Sequence, residues 1–211
     1  MQDYFQQYMR AISNPLPEMA DYFEKENDYL KSLVNEKSTI LDVGCGNGRT
    51  MKFFAPYVEK IVGIDYDPKM IEAARQNLAN IQNIQLIQDD FIITNFDKQF
   101  DLVFASYNLL GSSEINPKQR KPLLKKMAEL TKTGEHLVIS VWSDTGIDFA
   151  DRYYTDIGIK VWKIKDNDVI TNHGVFKRFT KSELEELSKE VGTNYKIIEL
   201  SNIFYLLDIS I

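Results

Sequence analysis

The stretch that decides the fold is STILDVGCGNGRT, residues 38–50. Residues 40–43 contain three large apolar side chains, and residues 44–48 contain three glycines. This order predicts a buried strand that ends in a glycine turn, followed by a helix. Glycine takes a positive φ at little cost and lets a ligand approach the backbone, and the helix after the turn offers unpaired N–H groups. The stretch therefore predicts a binding site for a small molecule.

Length, charge and cysteine content narrow the class of protein. The 211 residues suffice for one α/β domain with a sizeable core and are few for two. With 25 basic and 31 acidic residues, the formal net charge of -6 argues against a broad nucleic-acid-binding face. The single cysteine, Cys45, excludes an internal disulfide and suits a reducing cytosol. No apolar run approaches membrane length. We expect a cytoplasmic protein, monomeric or homodimeric, without membrane contact.

Strand-like and helix-like patterns alternate from residue 38 to residue 142. The strands are continuous apolar runs, which is typical of a sheet covered on both faces. They are expected at 40–43, 60–65, 84–87, 100–105 and 136–142. A closing antiparallel pair is expected at residues 195–200 and 203–209. The fold class is therefore α/β, with a doubly wound, mostly parallel seven-stranded sheet of Rossmann-like type and an antiparallel C-terminal strand pair.

The segments on either side of this core have their own patterns. Residues 1–35 are predicted as helices that Pro15 and Pro17 separate, with aromatic side chains that either dock the segment on the core or form a lid. Residues 144–154 are expected to be irregular, and residues 161–171 to form a hairpin.

We expect one domain of four segments. They are a helical N-terminal lid (1–35), a cofactor-binding core (38–142), a substrate-covering insertion (143–178) and a C-terminal helix and strand pair (179–211).

Polar residues follow each predicted strand of the core. In an open α/β sheet the ligand lies at the carboxyl ends of the strands, which here nominates residues 42–48, 65–66, 89–91 and 106–108. A dinucleotide fingerprint needs a third glycine where this chain has Arg49, and the Gly-Lys-Ser/Thr of a P-loop is absent. The turn therefore favours a different kind of ligand.

The motifs LDVGCGNG, VGIDYDPKMIEAA and QDDF, with FDLVFASYNLL and LTKTGEHLVIS, resemble the class I S-adenosylmethionine-dependent methyltransferase family. The resemblance covers about residues 38–142 and implies S-adenosylmethionine as cofactor, with no metal. It implies that Asp65 accepts the ribose hydroxyls, that Asp90 accepts the adenine amino group and that Asp42 helps to hold the methionine amino group. Asp89 is interpreted as solvated. The expected cofactor-binding residues are Asp42, Gly44, Cys45, Gly46, Asn47, Gly48, Asp65, Tyr66, Asp90, Phe91 and Ser106.

The methyl acceptor is less well defined by the sequence. Methyl transfer from a sulfonium needs alignment above all, and needs a base only where the acceptor must lose a proton. No catalytic base is evident, and Tyr107, Asn108 and His173 are the acceptor-site candidates. The loop after strand four lacks the Asn/Asp-Pro-Pro-Tyr pattern that the family uses on amide and exocyclic amino groups. A small-molecule acceptor is therefore expected. The alternatives are an RNA or protein methyltransferase and a non-catalytic S-adenosylmethionine-binding regulatory protein.

Overall fold

The structure, a computed structural model, describes residues 4–192 and 194–211. The first three residues of the predicted N-terminal segment 1–35, and residue 193 within the segment 179–211, lie outside the described residues. The helices are α1 (Tyr4–Ser13), α2 (Pro17–Lys31), α3 (Arg49–Phe54), α4 (Pro68–Asn77), α5 (Arg120–Glu129), α6 (Ile147–Asp156) and α7 (Lys181–Ser188). The strands are β1 (Thr39–Val43), β2 (Lys60–Asp65), β3 (Ile84–Gln88), β4 (Phe100–Ala105), β5 (Thr131–Trp142), β6 (Val161–Lys165), β7 (Asp168–Thr171), β8 (Gly174–Lys177), β9 (Tyr195–Ser201) and β10 (Phe204–Ser210).

The main sheet has seven strands in the order β3-β2-β1-β4-β5-β10-β9. Strands β1 to β5 run parallel, and β10 pairs antiparallel with both β5 and β9. The order reverses at β1, whose neighbours are β2 and β4, so a crevice opens at the carboxyl end of β1. The predicted fold class, including the antiparallel C-terminal pair, is confirmed.

Both faces of the sheet are covered, as the continuous apolar strands predict. Ile40 of β1 belongs to an apolar cluster on one face, and Leu41 belongs to a second cluster on the other. Helices α2, α3, α4 and α6 contribute buried residues to the first cluster, and α5 and α7 contribute to the second. Burying such a side chain contributes about 1.5–3 kcal/mol. The two layers hold the strand ends, and hence the crevice, in place.

Two predictions for residues 143–178 need correction or extension. Most of the segment 144–154, expected to be irregular, belongs to helix α6, whose buried Phe149, Ala150, Tyr153 and Tyr154 recur at helical spacing. The predicted hairpin is confirmed as β6 and β7, with Asp166 of its turn at φ 52°. A third strand, β8, pairs with β7, and its short run VFK has too little pattern to be recognised from sequence.

Side chains cap two of the helices. The Asp67 side chain accepts a hydrogen bond from Lys69 N at 2.8 Å at the start of α4. Thr180 and Glu183 form a reciprocal capping box at the start of α7. Among the described residues, none of the helices combines the length and apolarity needed to cross a lipid bilayer.

Candidate functional site

The turns that follow β1, β2, β3 and β4 surround a cavity of about 330 Å³. This volume is typical of small-molecule sites, which span about 300–1,000 Å³. The predicted site residues that line it are Gly44, Gly46, Asp65, Tyr66, Asp90, Phe91, Ser106 and Tyr107. The predicted residues that do not line it are Asp42, Cys45, Asn47, Gly48, Asn108 and His173.

The glycine turn needs glycine for different reasons at successive positions. Gly46 has φ 53°, and a Cβ there would lie 2.6 Å from the hydroxyl of Tyr8, which crosses the turn from α1. Gly48 has φ 75°, and a Cβ there would lie 2.5 Å from Leu78 Cδ1. Gly46 therefore lets Tyr8 approach the cavity side of the turn, whereas Gly48 lets the turn pack against the end of α4. Asn47 lies on that packed side, since its carbonyl accepts a hydrogen bond from Asn77 Nδ2 at 3.1 Å.

Asp65 ends β2, and its carboxylate lies against the glycine turn. Oδ2 accepts a hydrogen bond from Gly46 N at 2.9 Å, and Oδ1 accepts one from Asp67 N at 3.0 Å. Burial raises the pKa of Asp65, and these two N–H donors oppose the rise. Each carboxylate oxygen accepts more than one hydrogen bond. Asp65 therefore retains acceptor capacity for hydroxyl groups of a ligand in the cavity.

The turn after β3 places a carboxylate beside an aromatic ring. Asp90 Oδ1 accepts a hydrogen bond from Ile92 N at 2.8 Å, so the side chain is oriented by its own turn. Phe91 is buried and packs against Phe96 with a ring-centroid distance of 6.0 Å. Asp89, interpreted as solvated, is exposed and also borders the cavity. An apolar ring next to a hydrogen-bond acceptor suits a flat heterocycle that carries an amino group.

Asp42 and Cys45 lie beneath the turn rather than on the cavity wall. Burial raises the pKa of Asp42, Arg49 lowers it, and the negative charge of Glu26 raises it again. Burial also raises the pKa of the Cys45 thiol, so this cysteine is protonated at neutral pH and packs as a small apolar side chain. Asp42 therefore lies below the turn without touching the cavity.

Tyr107 and Asn108 follow β4 with φ angles of 57° and 63°. Left-handed backbone at non-glycine residues costs about 1–3 kcal/mol each and persists only where the surroundings impose it. Tyr107 N donates hydrogen bonds to Tyr22 OH at 3.1 Å and to Ser140 Oγ at 3.0 Å. The buried Glu26 accepts hydrogen bonds from both of these hydroxyls, at 2.6 and 2.5 Å. Helix α2 thus holds the strained turn through a buried polar network.

A smaller space of about 40 Å³, here called the aromatic chamber, shares lining residues with the large cavity. The shared residues are Tyr4, Tyr8, Tyr107 and Ser112. The remaining walls are Asn108, Trp142, Tyr153, Tyr154, Ile157, Ile159 and Phe176. The hydroxyls of Tyr107 and Tyr153 are hydrogen-bonded to each other, which narrows the chamber.

Asn108 and His173, two acceptor-site candidates, lie differently from Tyr107. The Asn108 amide joins three strands, since its Oδ1 accepts from Trp142 N at 3.1 Å and its Nδ2 donates to Lys177 O at 3.3 Å. His173 lies in the turn between β7 and β8, with its ring 5.5 Å from that of Tyr4. Asn108 therefore lines the chamber with its amide engaged, and His173 is separated from both spaces by one aromatic ring.

Sequence reasoning missed two groups of residues around the cavity. Tyr4 and Tyr8 of α1 line it, and the only sequence signal was the density of aromatic residues in the N-terminal segment. The connection between β4 and α5 forms another wall, with Leu109, Ser112, Glu114, Ile115 and Gln119. This connection has no helical or strand periodicity, so no pattern could have predicted that it turns back over the strand ends.

Comparison with known proteins agrees with this geometry. Residues 40–134 match a family described as a methyltransferase domain. Residues 40–134 are a class I methyltransferase domain. Its cofactor, S-adenosylmethionine, is the one that the sequence motifs predict. The domain match includes the glycine turn, Asp65 and Asp90, and it ends before the aromatic chamber is complete.

Individual relatives of the methyltransferase domain are distant. The ribosomal protein L11 methyltransferase of Thermotoga maritima is 28% identical over 141 residues, which is 65% of this chain and 49% of that protein. The chain spans about a third to a half of the length of the curated relatives that it matches.

Two solved structures share the fold over nearly the whole chain. The PH0226 protein of Pyrococcus horikoshii has a TM-score of 0.77 at 18% identity and covers 99% of this chain and 98% of its own. An S-adenosylmethionine-dependent methyltransferase of Clostridium acetobutylicum has a TM-score of 0.68 at 15% identity, with 96% of each chain covered.

The residues of the methyltransferase domain fit S-adenosylmethionine. The cavity combines a glycine turn that admits close approach, the Asp65 carboxylate and the Phe91 ring next to Asp90. The Ser106 hydroxyl is buried on the cavity wall, and within residues 4–192 and 194–211 it has no hydrogen-bond partner. A buried polar atom left without a partner is costly, which favours a polar ligand at this position.

Proposed function

We propose that this chain transfers the methyl group of S-adenosylmethionine to a small-molecule acceptor. The observation that carries the proposal is the position of Tyr107, which lines both the 330 Å³ cavity and the aromatic chamber. A cofactor in the cavity and an acceptor in the chamber would meet at this residue. The short distance between two bound reactants is the main source of catalysis in such a displacement.

The cofactor-binding roles are part of the proposal. Asp65 would accept the ribose hydroxyls, Asp90 would accept the adenine amino group, and Phe91 and Tyr66 would flank the adenine ring. The glycine turn would lie against the methionine part, with Asp42 beneath the turn. When bound, S-adenosylmethionine supplies a methyl group made electrophilic by the sulfonium.

Tyr107 would act as a hydrogen-bond donor rather than as a base. Burial raises the pKa of Tyr107 to about 12, and the hydrogen bond to Tyr153 and the charge of Arg49 only partly oppose this. The phenol therefore stays protonated at neutral pH. It can orient the accepting atom and exclude water, and it cannot remove a proton from it.

Enclosure of the chamber supports a small acceptor over a macromolecule. Residues of α1, α6 and β8 cover it. Helix α1 is tied to the segment after α6 by Gln7 Nε2, which donates to Gly158 O at 2.8 Å. Tyr4 also stacks on Phe176 with a centroid distance of 6.2 Å. A protein or RNA substrate would have to displace this cover. A cytoplasmic location belongs to the same proposal and rests on the single, buried Cys45.

Isothermal titration with S-adenosylmethionine tests the cofactor assignment. We expect one site per chain, and absence of binding by the folded protein would contradict the proposal. Transfer is then tested with radiolabelled cofactor and a pool of small metabolites, in which labelled product should form at the expense of cofactor.

One observation favours a second candidate, a protein that binds S-adenosylmethionine without transferring its methyl group. The contact between Tyr107 and Tyr153 leaves only about 40 Å³ in the chamber. If this contact is permanent, the acceptor has no room. Tight cofactor binding with no labelled product from any acceptor pool, in both the wild type and Tyr153→Ala, would favour this candidate.

A further inference from the structure

Arg178 is a buried cation, and no acid among the described residues neutralises its charge. It follows β8, its side chain is 1% exposed, and its Nη1 donates to Ser143 O at 3.1 Å. Its Nε and Nη2 are buried and have no hydrogen-bond partner within the part of the chain that the structure describes. Burial lowers the pKa of Arg178 to about 10, so the guanidinium is charged at neutral pH. Burying such a charge is costly unless a partner is supplied.

The guanidinium lies against the walls of the aromatic chamber. Its Cζ is 4.8 Å from the centroid of the Trp142 ring, and Trp142 lines the chamber. Tyr154 and Tyr153, two further walls, lie close enough to Arg178 to interact with it electrostatically. Arg178 is thus separated from the space assigned to the acceptor by a single layer of aromatic side chains.

The two unpartnered nitrogens define the chemistry that would satisfy them. Nε and Nη2 occupy one edge of the guanidinium plane, and their N–H bonds point in the same direction. This edge matches the two oxygens of a carboxylate, with which it forms a pair of parallel charge-assisted hydrogen bonds. One edge of a phosphonate or phosphate presents the same two oxygens.

The aromatic walls alone would also suit an ammonium group, which binds to the faces of tyrosine and tryptophan rings. The Arg178 guanidinium already lies over the Trp142 ring. No Asp or Glu lines the chamber among the described residues. A second cation there would be repelled without compensation, whereas an anion would neutralise Arg178.

We propose that the methyl acceptor carries a carboxylate-type oxyanion, and that this group passes between the aromatic walls of the chamber to bind the free Nε/Nη2 edge of Arg178 directly behind them. This inference rests on the proposed function, because it assumes that the chamber holds the acceptor. Arg178 is then a specificity-determining residue. It selects acceptors with an acidic group, whereas Tyr107 lies where the methyl group would be transferred.

The test measures binding of simple acids and does not require the natural acceptor. Trp162 is 63% exposed, and Trp162→Phe leaves Trp142 as the only tryptophan of the chain. The fluorescence of Trp142 is measured in the presence of saturating S-adenosylhomocysteine while a probe is added. One series of probes is benzoate, phenylphosphonate and the uncharged benzamide. The other is the smaller pair acetate and acetamide. We expect at least one acid to bind tenfold or more tightly than the amide of matching size. The acid that binds most tightly identifies the type of oxyanion.

Variants assign the preference to Arg178. In the Trp162→Phe background, Arg178→Met should remove the preference for the acid, and Arg178→Lys should reduce it severalfold because the forked edge is lost. Arg75→Met, which changes an exposed arginine of α4, should leave it intact. Equal binding of every acid and its amide in the Trp162→Phe protein would overturn the inference, even if the Arg178 variants fail to fold. So would a preference that survives Arg178→Met.

A separate titration with S-adenosylhomocysteine distinguishes the two proposals. Loss of cofactor binding in the Trp162→Phe protein would contradict the proposed function itself. Intact cofactor binding without any preference for acids would contradict only the role of Arg178.

Discussion

At the scale of single residues, Asp65 connects the strand order to the ligand. It is the last residue of β2, and its carboxylate bonds to the N–H of Gly46 in the turn after β1. The ends of β1 and β2 are thus joined by the side chain that would bind the ribose. A change at Asp65 should therefore affect the cofactor more than the fold.

Asp65→Ala should weaken binding of S-adenosylmethionine by tenfold or more, because charge-assisted hydrogen bonds to two hydroxyls are lost. Isothermal titration at pH 7.5 measures the change, and Asp97→Ala, which alters an exposed acid outside the cavity, is the control. Binding to the wild type should also weaken as pH falls. Because burial raises the pKa of Asp65, this loss should begin at a higher pH than for a free aspartate. Unchanged affinity in Asp65→Ala would refute the assigned role.

At the scale of elements, α1 is the part of the site that sequence patterns described least well. Its Tyr8 ring lies 5.7 Å from that of Tyr107, and its hydroxyl lies over Gly46. Its Gln7 bonds to the carbonyl of Gly158, which follows α6. We propose that α1 and residues 143–178 cover the cofactor together.

Tyr8→Ala should speed the dissociation of S-adenosylhomocysteine by about an order of magnitude while leaving the melting temperature nearly unchanged, because a half-buried cover residue is lost and the sheet is untouched. Stopped-flow displacement measures the rate. Tyr57→Ala, which removes an exposed tyrosine outside the cavity, is the control. A dissociation rate equal to that of the wild type would mean that α1 is docked and does not retain the ligand.

At the scale of the whole molecule, a buried acid in the antiparallel C-terminal strand pair links the N-terminal segment to the main sheet. Asp208 of β10 is 2% exposed. It accepts hydrogen bonds from Tyr29 OH of α2 at 2.6 Å and lies 2.7 Å from His136 Nδ1 of β5. One carboxylate therefore ties a helix of the N-terminal segment to two neighbouring strands.

Asp208→Ala should lower the free energy of unfolding by about 2–3 kcal/mol, because two polar partners lose their acceptor. Urea denaturation monitored by circular dichroism measures this, and Asp156→Ala, at the end of α6, is the control. The affinity of the remaining folded protein for S-adenosylmethionine should stay within twofold of the wild type. A large loss of affinity would show that the strand pair shapes the site directly.

The sequence alone determined the fold class, the strand ends and the cofactor. Apolar runs, the glycine turn and the helix caps are local signals, spread over a few residues, and local periodicity specifies them directly. The acids at the ends of β2 and β3 could be assigned to one site because parallel strands bring their carboxyl ends to one edge.

Only the tertiary structure decided which of these residues face the cavity and what covers it. Asn47 and Gly48 turn away because α4 packs on them, and neither this contact nor the bond from Gln7 to Gly158, 151 positions away, leaves a periodic trace in the sequence. The same holds for Arg178. The sequence shows an arginine after a short strand, and whether its charge has a partner depends on burial and on residues that come together only when the chain folds.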